Sequence, residues 1–210
     1  MKHRPTIDRN KIENEGTLSH QNFHWFLYAQ RDHDMMFHRD IFYMDHADRF
    51  KHVVLHYTKY SRRLANLILD EKQNDYDHVI VMKKTLIDSF IMTLNLTEIF
   101  NVHFNDTEGS LHDTQKYLIK KQPEMYAHLS EGTRDEVIMA FLLEYLKICG
   151  YLAKVAEELD HLFMEVHRNA VEEQIKKMLV LHLIAGDIWN TEYWCQVPRR
   201  WKEIEEKRIV

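Results

Sequence analysis

At 210 residues the chain fits one large domain or two small ones. A formal net charge of -5 and a pI near 6.3 exclude a general nucleic-acid binder, which needs a broadly basic surface, while allowing a local basic pocket for a small anion. Five Gly and three Pro supply too little turn chemistry for an all-β fold, and the longest apolar runs, about six residues (138–143), fall far short of the roughly 20 that a membrane span needs. Cys149 and Cys195 cannot form a disulfide framework, and the polar start MKHRPTIDRN has no apolar signal core. A soluble, cytoplasmic protein is expected. The 15 histidines are scattered, and most read as surface or hydrogen-bonded core residues.

Residues 1–16 read as a loose arm, and 18–44 as an aromatic, His-rich stretch with plausible helical spacing at Phe23, Phe26 and Leu27. Asp45 is a helix N-cap candidate ahead of a helix over about 47–69, with Val53, Tyr57, Tyr60, Leu64 and Leu67 as its apolar stripe. A second stripe, His52, His56, Lys59 and Arg63, recurs at helical steps and could grip phosphate oxygens or simply be a wet face. A further helix is expected over about 78–100, with Ile80, Ile87, Phe90, Ile91 and Leu94 as its core side and Asp88 beside them. Residues 101–134 carry most of the turn residues and read as a long connection with one short helix near 111–120. Thr133 to Glu136 is a capping box opening a helix over 135–150 or one that continues to His167. Asn169 to Glu172 reads as a second capping box, opening a helix over about 171–190 in which Val180, Leu183, Ile184 and Asp187 share a face. The segment WNTEYW and a charged tail follow.

The densest chemistry lies in YLAKVAEELDHLFMEVHR, 151–168. Leu152, Val155, Leu159, Leu162 and Val166 form an apolar stripe, flanked by Glu157, Glu158, Asp160, His161 and Glu165. Glu158 and His161 are three apart, Glu157 and His161 four apart, so each pair shares a helix face and could hold a cation. Asp187 extends an apolar stripe, and a carboxylate near a core is costly unless paired or metal-bound.

Two segments resemble each other in order and spacing. HYTKYSRRLA (56–65) aligns with YLAKVAEELD (151–160), and MKKTLIDSFI (82–91) with IKKMLVLHLI (175–184), at offsets of 95 and 93. The expected fold is therefore all-α: one domain of two pseudo-repeated helical hairpins, about 45–104 and 135–195, around a four-helix core, with a connection at 105–134 and a polar tail at 196–210. A duplication of this kind can replace a contact that single-repeat relatives make by dimerising, and a homodimer also stays open.

With KVAEELDH (154–161) and AGD (185–187), the chain resembles the MazG-like all-α NTP pyrophosphohydrolases, which carry E-x-x-E on one helix and E-x-x-D on the next. The resemblance implies an enzyme that cleaves a nucleoside triphosphate to the monophosphate and pyrophosphate with Mg²⁺ or Mn²⁺. It implies Glu158, His161 and Asp187 as catalytic and metal residues, with Glu157 and Asp88 as further ligands. His56, Lys59, Arg62, Arg63 and Lys154 would hold the phosphates, and Trp25, Tyr57 or Trp189 could stack on a base. The chain departs from the pattern: His161 stands for the second Glu, Ile184 and Thr85 stand three before the Asp in the two halves, and Arg62 and Arg63 stand in the first half where the second has Glu157 and Glu158, so at most one site is acidic. A His ligand pulls preference toward Mn²⁺, Fe or Zn²⁺. The alternatives are a catalytically degenerate nucleotide- or partner-binding bundle and a di-metal carboxylate bundle. An HD-type phosphohydrolase is set aside because no His-Asp doublet is read in a good helical context.

Overall fold

A computed structural model of the chain describes residues 23–70, 76–102, 118–160 and 168–208. The helices are α1 (Phe23–Phe37), α2 (Arg39–Phe42), α3 (His46–Leu69), α4 (Tyr76–Ile99), α5 (Pro123–Ser130), α6 (Arg134–Asp160), α7 (Arg168–Trp189) and α8 (Tyr193–Arg208). The described residues contain no strand, so the protein is an all-α bundle.

The local reasons for these helices are on the chain. Asp45 caps α3, its carboxylate accepting from the Asp48 N–H at 2.9 Å. Thr133 and Glu136 close a reciprocal capping box at α6: the Thr133 N–H donates to Glu136 Oε2 at 2.8 Å, and the Glu136 N–H reaches Thr133 Oγ1 at 3.4 Å. The second expected box is not formed, because α7 begins at Arg168 and Asn169 already lies inside its first turn. Helices α4 and α7 end on left-handed asparagines, Asn101 and Asn190, both at φ 47°. In each, the next N–H reaches back six residues inclusive: Val102 to the Thr97 carbonyl at 2.9 Å, Thr191 to the Gly186 carbonyl at 2.8 Å. A side chain at Gly186 would meet the Thr191 carbonyl oxygen at 3.1 Å and the Tyr193 ring at 3.3 Å. The Gly of AGD is therefore favoured by the turn that ends α7.

Four long helices form the core. α3 packs on α4 and α6, α7 on α4 and α6, closing a ring. The apolar stripe on α3 is buried as expected at Val53, Tyr57, Tyr60 and Leu64. On α4, Ile87, Phe90, Ile91 and Leu94 are buried, but Ile80 is 45% exposed and leaves the stripe near the start of its helix. At the centre each helix contributes a polar group. Tyr57 OH lies 2.8 Å from Thr93 Oγ1, Ser89 Oγ 2.6 Å from Tyr145 OH, and His182 Nε2 3.1 Å from Thr93 Oγ1. Thr93 donates its own hydroxyl proton to the Ser89 carbonyl, so His182 Nε2 donates to Thr93 and Nδ1 carries a bare lone pair. Burial alone pushes the His182 pKa down to about 3, so this ring is neutral.

Two helices lie outside the sequence expectation. α5 forms within the long connection. α8 replaces the expected polar tail: Tyr193, Val197 and Trp201, four apart, are all buried. α8 packs on α1 and α4, and the Trp201 indole donates to Gln30 Oε1 on α1 at 2.7 Å.

Candidate metal centre

The expected acidic site does not assemble among the described residues. His161 lies outside them. Glu158 sits near the C-terminal end of α6 and Asp187 near the C-terminal end of α7. Trp189 packs on Phe141, with ring centroids 5.2 Å apart, so the end of α7 meets the start of α6. Glu158 lies 17 residues beyond Phe141, about 25 Å along the helix at 1.5 Å per residue. Asp187 and Glu157 are exposed. Glu158 pairs with Lys154 at 3.4 Å, joining an expected metal ligand to an expected phosphate ligand. Tyr57 and Trp189 are core residues, not base-stacking surfaces.

A different set of ligands does converge. His33, Asp34 and His38 each offer an atom within 4.8 Å of the others, the one such group of His, Cys, Asp or Glu among the described residues. His33 and Asp34 are successive residues of α1, which makes His33-Asp34 a His-Asp doublet inside a helix and corrects the sequence reading that found none. His38 is five residues after His33, about 140° round an ideal helix and on the wrong side of it. The chain solves this by leaving the helix at His38 (φ -129°, ψ 44°), after its N–H has bonded the Asp34 carbonyl at 2.8 Å. The break brings the His38 ring to 5.6 Å from the His33 ring.

His33 is 1% exposed, and neither of its ring nitrogens makes a hydrogen bond. Its nearest charged neighbours are Asp34 Oδ1, 3.6 Å from Nδ1, and Glu205 Oε1, 3.9 Å from Nε2. Asp34 is 8% exposed. A buried imidazole and a buried carboxylate that face each other without a hydrogen bond have lost water and gained little in return. Two imidazoles and a carboxylate suit a transition metal, whose bonds of about 2.0–2.2 Å would draw these atoms together by about an ångström.

The three line a pocket of about 120 Å³ with Arg49, His52, His56 and Asp88 among its other walls. Burial lowers the pKa of His52 and, together with nearby Lys59, takes His56 down to about 4, so both are neutral. Asp88, expected as a metal ligand, is instead held by Arg200, whose Nε donates to Oδ1 at 2.6 Å and Nη2 to Oδ2 at 3.3 Å. Arg49 donates to Glu98 at 2.6 Å. From His56 the α3 stripe runs outward. Lys59 Nζ lies 3.0 Å from His56 Nδ1, and Lys59, Arg62 and Arg63 lie together on an open surface of α3. The structure thus brings together His56, Lys59, Arg62 and Arg63 of the expected phosphate ligands and leaves Lys154 on another helix. Sequence reasoning missed His33, Asp34 and His38; the doublet on a helix, with a third ligand just past its end, was the available signal.

The chain matches no known protein-family model, no curated protein and no solved structure. Among the described residues no helix is long and apolar enough to cross a membrane.

Proposed function

We propose that the chain is a metal-dependent phosphohydrolase, with His33, Asp34 and His38 holding one divalent transition metal and the basic stripe of α3 receiving the phosphates of a small substrate. The observation that carries this reading is His33, buried with both nitrogens lacking a hydrogen-bond partner beside a buried carboxylate. The donor set favours Zn²⁺, Mn²⁺ or Fe²⁺ over the Mg²⁺ implied by the family resemblance, because Mg²⁺ prefers an all-oxygen shell. A bound metal of this kind polarises a phosphoryl oxygen and lowers the pKa of its water.

The residues of the chain set the rest. Asp34 neutralises part of the cation's charge. His52, neutral and on the facing wall, is placed to accept a proton from water in the pocket. The pocket, about 120 Å³, is small, so it takes an ion, its water and a phosphoryl group. The body of the substrate then lies outside, where Lys59, Arg62 and Arg63 neutralise further phosphates. A polyphosphate fits that division better than a monophosphate, and the resemblance to MazG-like proteins supports a nucleoside triphosphate as the first substrate. The pseudo-repeat of two hairpins belongs to the same proposal.

The test is a panel of nucleoside triphosphates with Zn²⁺, Mn²⁺, Fe²⁺ or Mg²⁺, read as release of phosphate or pyrophosphate. Turnover that needs a transition metal and falls at least tenfold in Lys59→Ala and Arg63→Ala supports the reading. Metal and nucleotide binding without turnover leaves a binding protein, and absence of both removes the proposal.

A further inference from the structure

His33 is gripped from one more direction. Trp201 of α8 stacks on its ring, with centroids 5.8 Å apart at 24°, and Phe37 flanks it at 5.3 Å. These contacts fix the ring plane, leaving only its in-plane nitrogens to choose partners. Nδ1 is on the side of Asp34, and Nε2 is on the side of Glu205, a residue of α8. A metal-bound imidazole ordinarily donates its other N–H to a carboxylate or carbonyl, which fixes the tautomer and raises the basicity of the ligating nitrogen.

We infer that Glu205 is the positioning residue of this centre: it accepts the Nε2–H of His33, leaves the Nδ1 lone pair for the cation, and so couples metal binding to the docking of the C-terminal helix α8. The inference rests on the metal reading above. At 3.9 Å the pair is about an ångström longer than a hydrogen bond, and for this role the Glu205 carboxylate must close that gap when metal binds. The docking surface is already built. Trp201 and Tyr193 bury into the bundle, the Trp201 indole bonds Gln30, and Arg200 grips Asp88 of α4. The coupling runs both ways by linkage: whatever strengthens the grip of α8 on α1 tightens metal binding, and metal binding tightens the grip.

The experiment compares the full-length wild-type chain with Glu205→Ala, Glu205→Gln and, as a control on an exposed site of the same helix, Glu206→Gln. Three readouts are taken: Zn²⁺ affinity by chelator competition, the visible spectrum of the Co²⁺ form, and amide exchange of α8 with and without Zn²⁺. Glu205→Ala is expected to bind Zn²⁺ about 10- to 100-fold more weakly, with an altered Co²⁺ spectrum and the metal-free melting temperature of the control. Zn²⁺ is expected to slow exchange in α8 of the wild type and not of Glu205→Ala. Wild-type affinity and spectrum in Glu205→Ala would overturn the inference, as would an affinity loss that merely tracks a less stable metal-free protein. A wild-type chain that binds no Zn²⁺ or Co²⁺ would instead remove the metal reading itself.

Discussion

His182 and His33 are both withdrawn from solvent, 0% and 1% exposed, yet their surroundings differ. His182 stands at the centre of the four-helix ring with Nε2 bonded to Thr93, and the surrounding hydroxyls of Tyr57, Ser89 and Tyr145 bond one another or Thr93. His33 stands beside a pocket with an acid on either side of its ring and no hydrogen bond to either. The first cluster ties one nitrogen of its histidine and all of its hydroxyls into one hydrogen-bonded network, leaving only His182 Nδ1 without a partner. At His33 neither nitrogen has a partner, and that double deficit beside Asp34 is what the proposed metal would relieve. Burial of a histidine is therefore a poor guide to role; the state of its nitrogens is the informative quantity.

The largest expected effect separates the two clusters outright. His182→Ala should cost about 3 kcal/mol in urea unfolding, from the lost ring and the orphaned partners, while Zn²⁺ affinity per folded molecule stays at the wild-type value. Next is the metal-linked gain. Zn²⁺ at 100 times its dissociation constant should stabilise wild type by about 2.7 kcal/mol. His182→Ala should keep that gain and Asp34→Asn should lose it, although Asp34→Asn without metal should be no less stable than wild type, because a buried charge has been removed.

Acid sharpens the contrast further. The folded pKa of His182 is depressed to about 3 from the ordinary histidine value of 6.5, so the unfolded chain binds the extra proton first. The stability His182 protects is present above pH 6.5 and is lost as pH falls toward 3, at up to about 1.4 kcal/mol per unit. Between pH 7 and 5 the loss should be about 2 kcal/mol in metal-free protein and should be absent in His182→Gln. His56, lowered to about 4, adds a loss of the same sign, reduced by its solvent exposure. The smallest effects belong to the acids first expected to hold metal. Glu158→Gln and Asp187→Asn should each change stability by less than about 0.5 kcal/mol and leave Zn²⁺ affinity within twofold.

The helices of the bundle were legible because a 3.6-residue apolar period and caps such as Asp45 and Thr133–Glu136 act locally. α8 was hidden by composition: the charges of KEIEEKR masked the four-residue spacing of Tyr193, Val197 and Trp201. The site was misread for a reason of topology. Spacing shows that Glu158 and His161 share a face and that Asp187 extends an apolar stripe. It does not show that successive helices run oppositely, so that residues near both C-terminal ends lie at opposite ends of the hairpin. The α3 stripe was readable because its members share one helix. His33, Asp34 and His38 were not, because their convergence depends on a break at His38 that periodicity does not announce.

The most direct test of the account is elemental analysis of purified, desalted protein after exposure to a mixture of Zn²⁺, Mn²⁺, Fe²⁺ and Mg²⁺ under anaerobic conditions. The account predicts close to one transition-metal ion per wild-type chain and per Glu158→Gln,Asp187→Asn chain, and essentially none in His33→Gln,His38→Ala. Retention by the histidine double variant, or loss in the acid double variant, would contradict it.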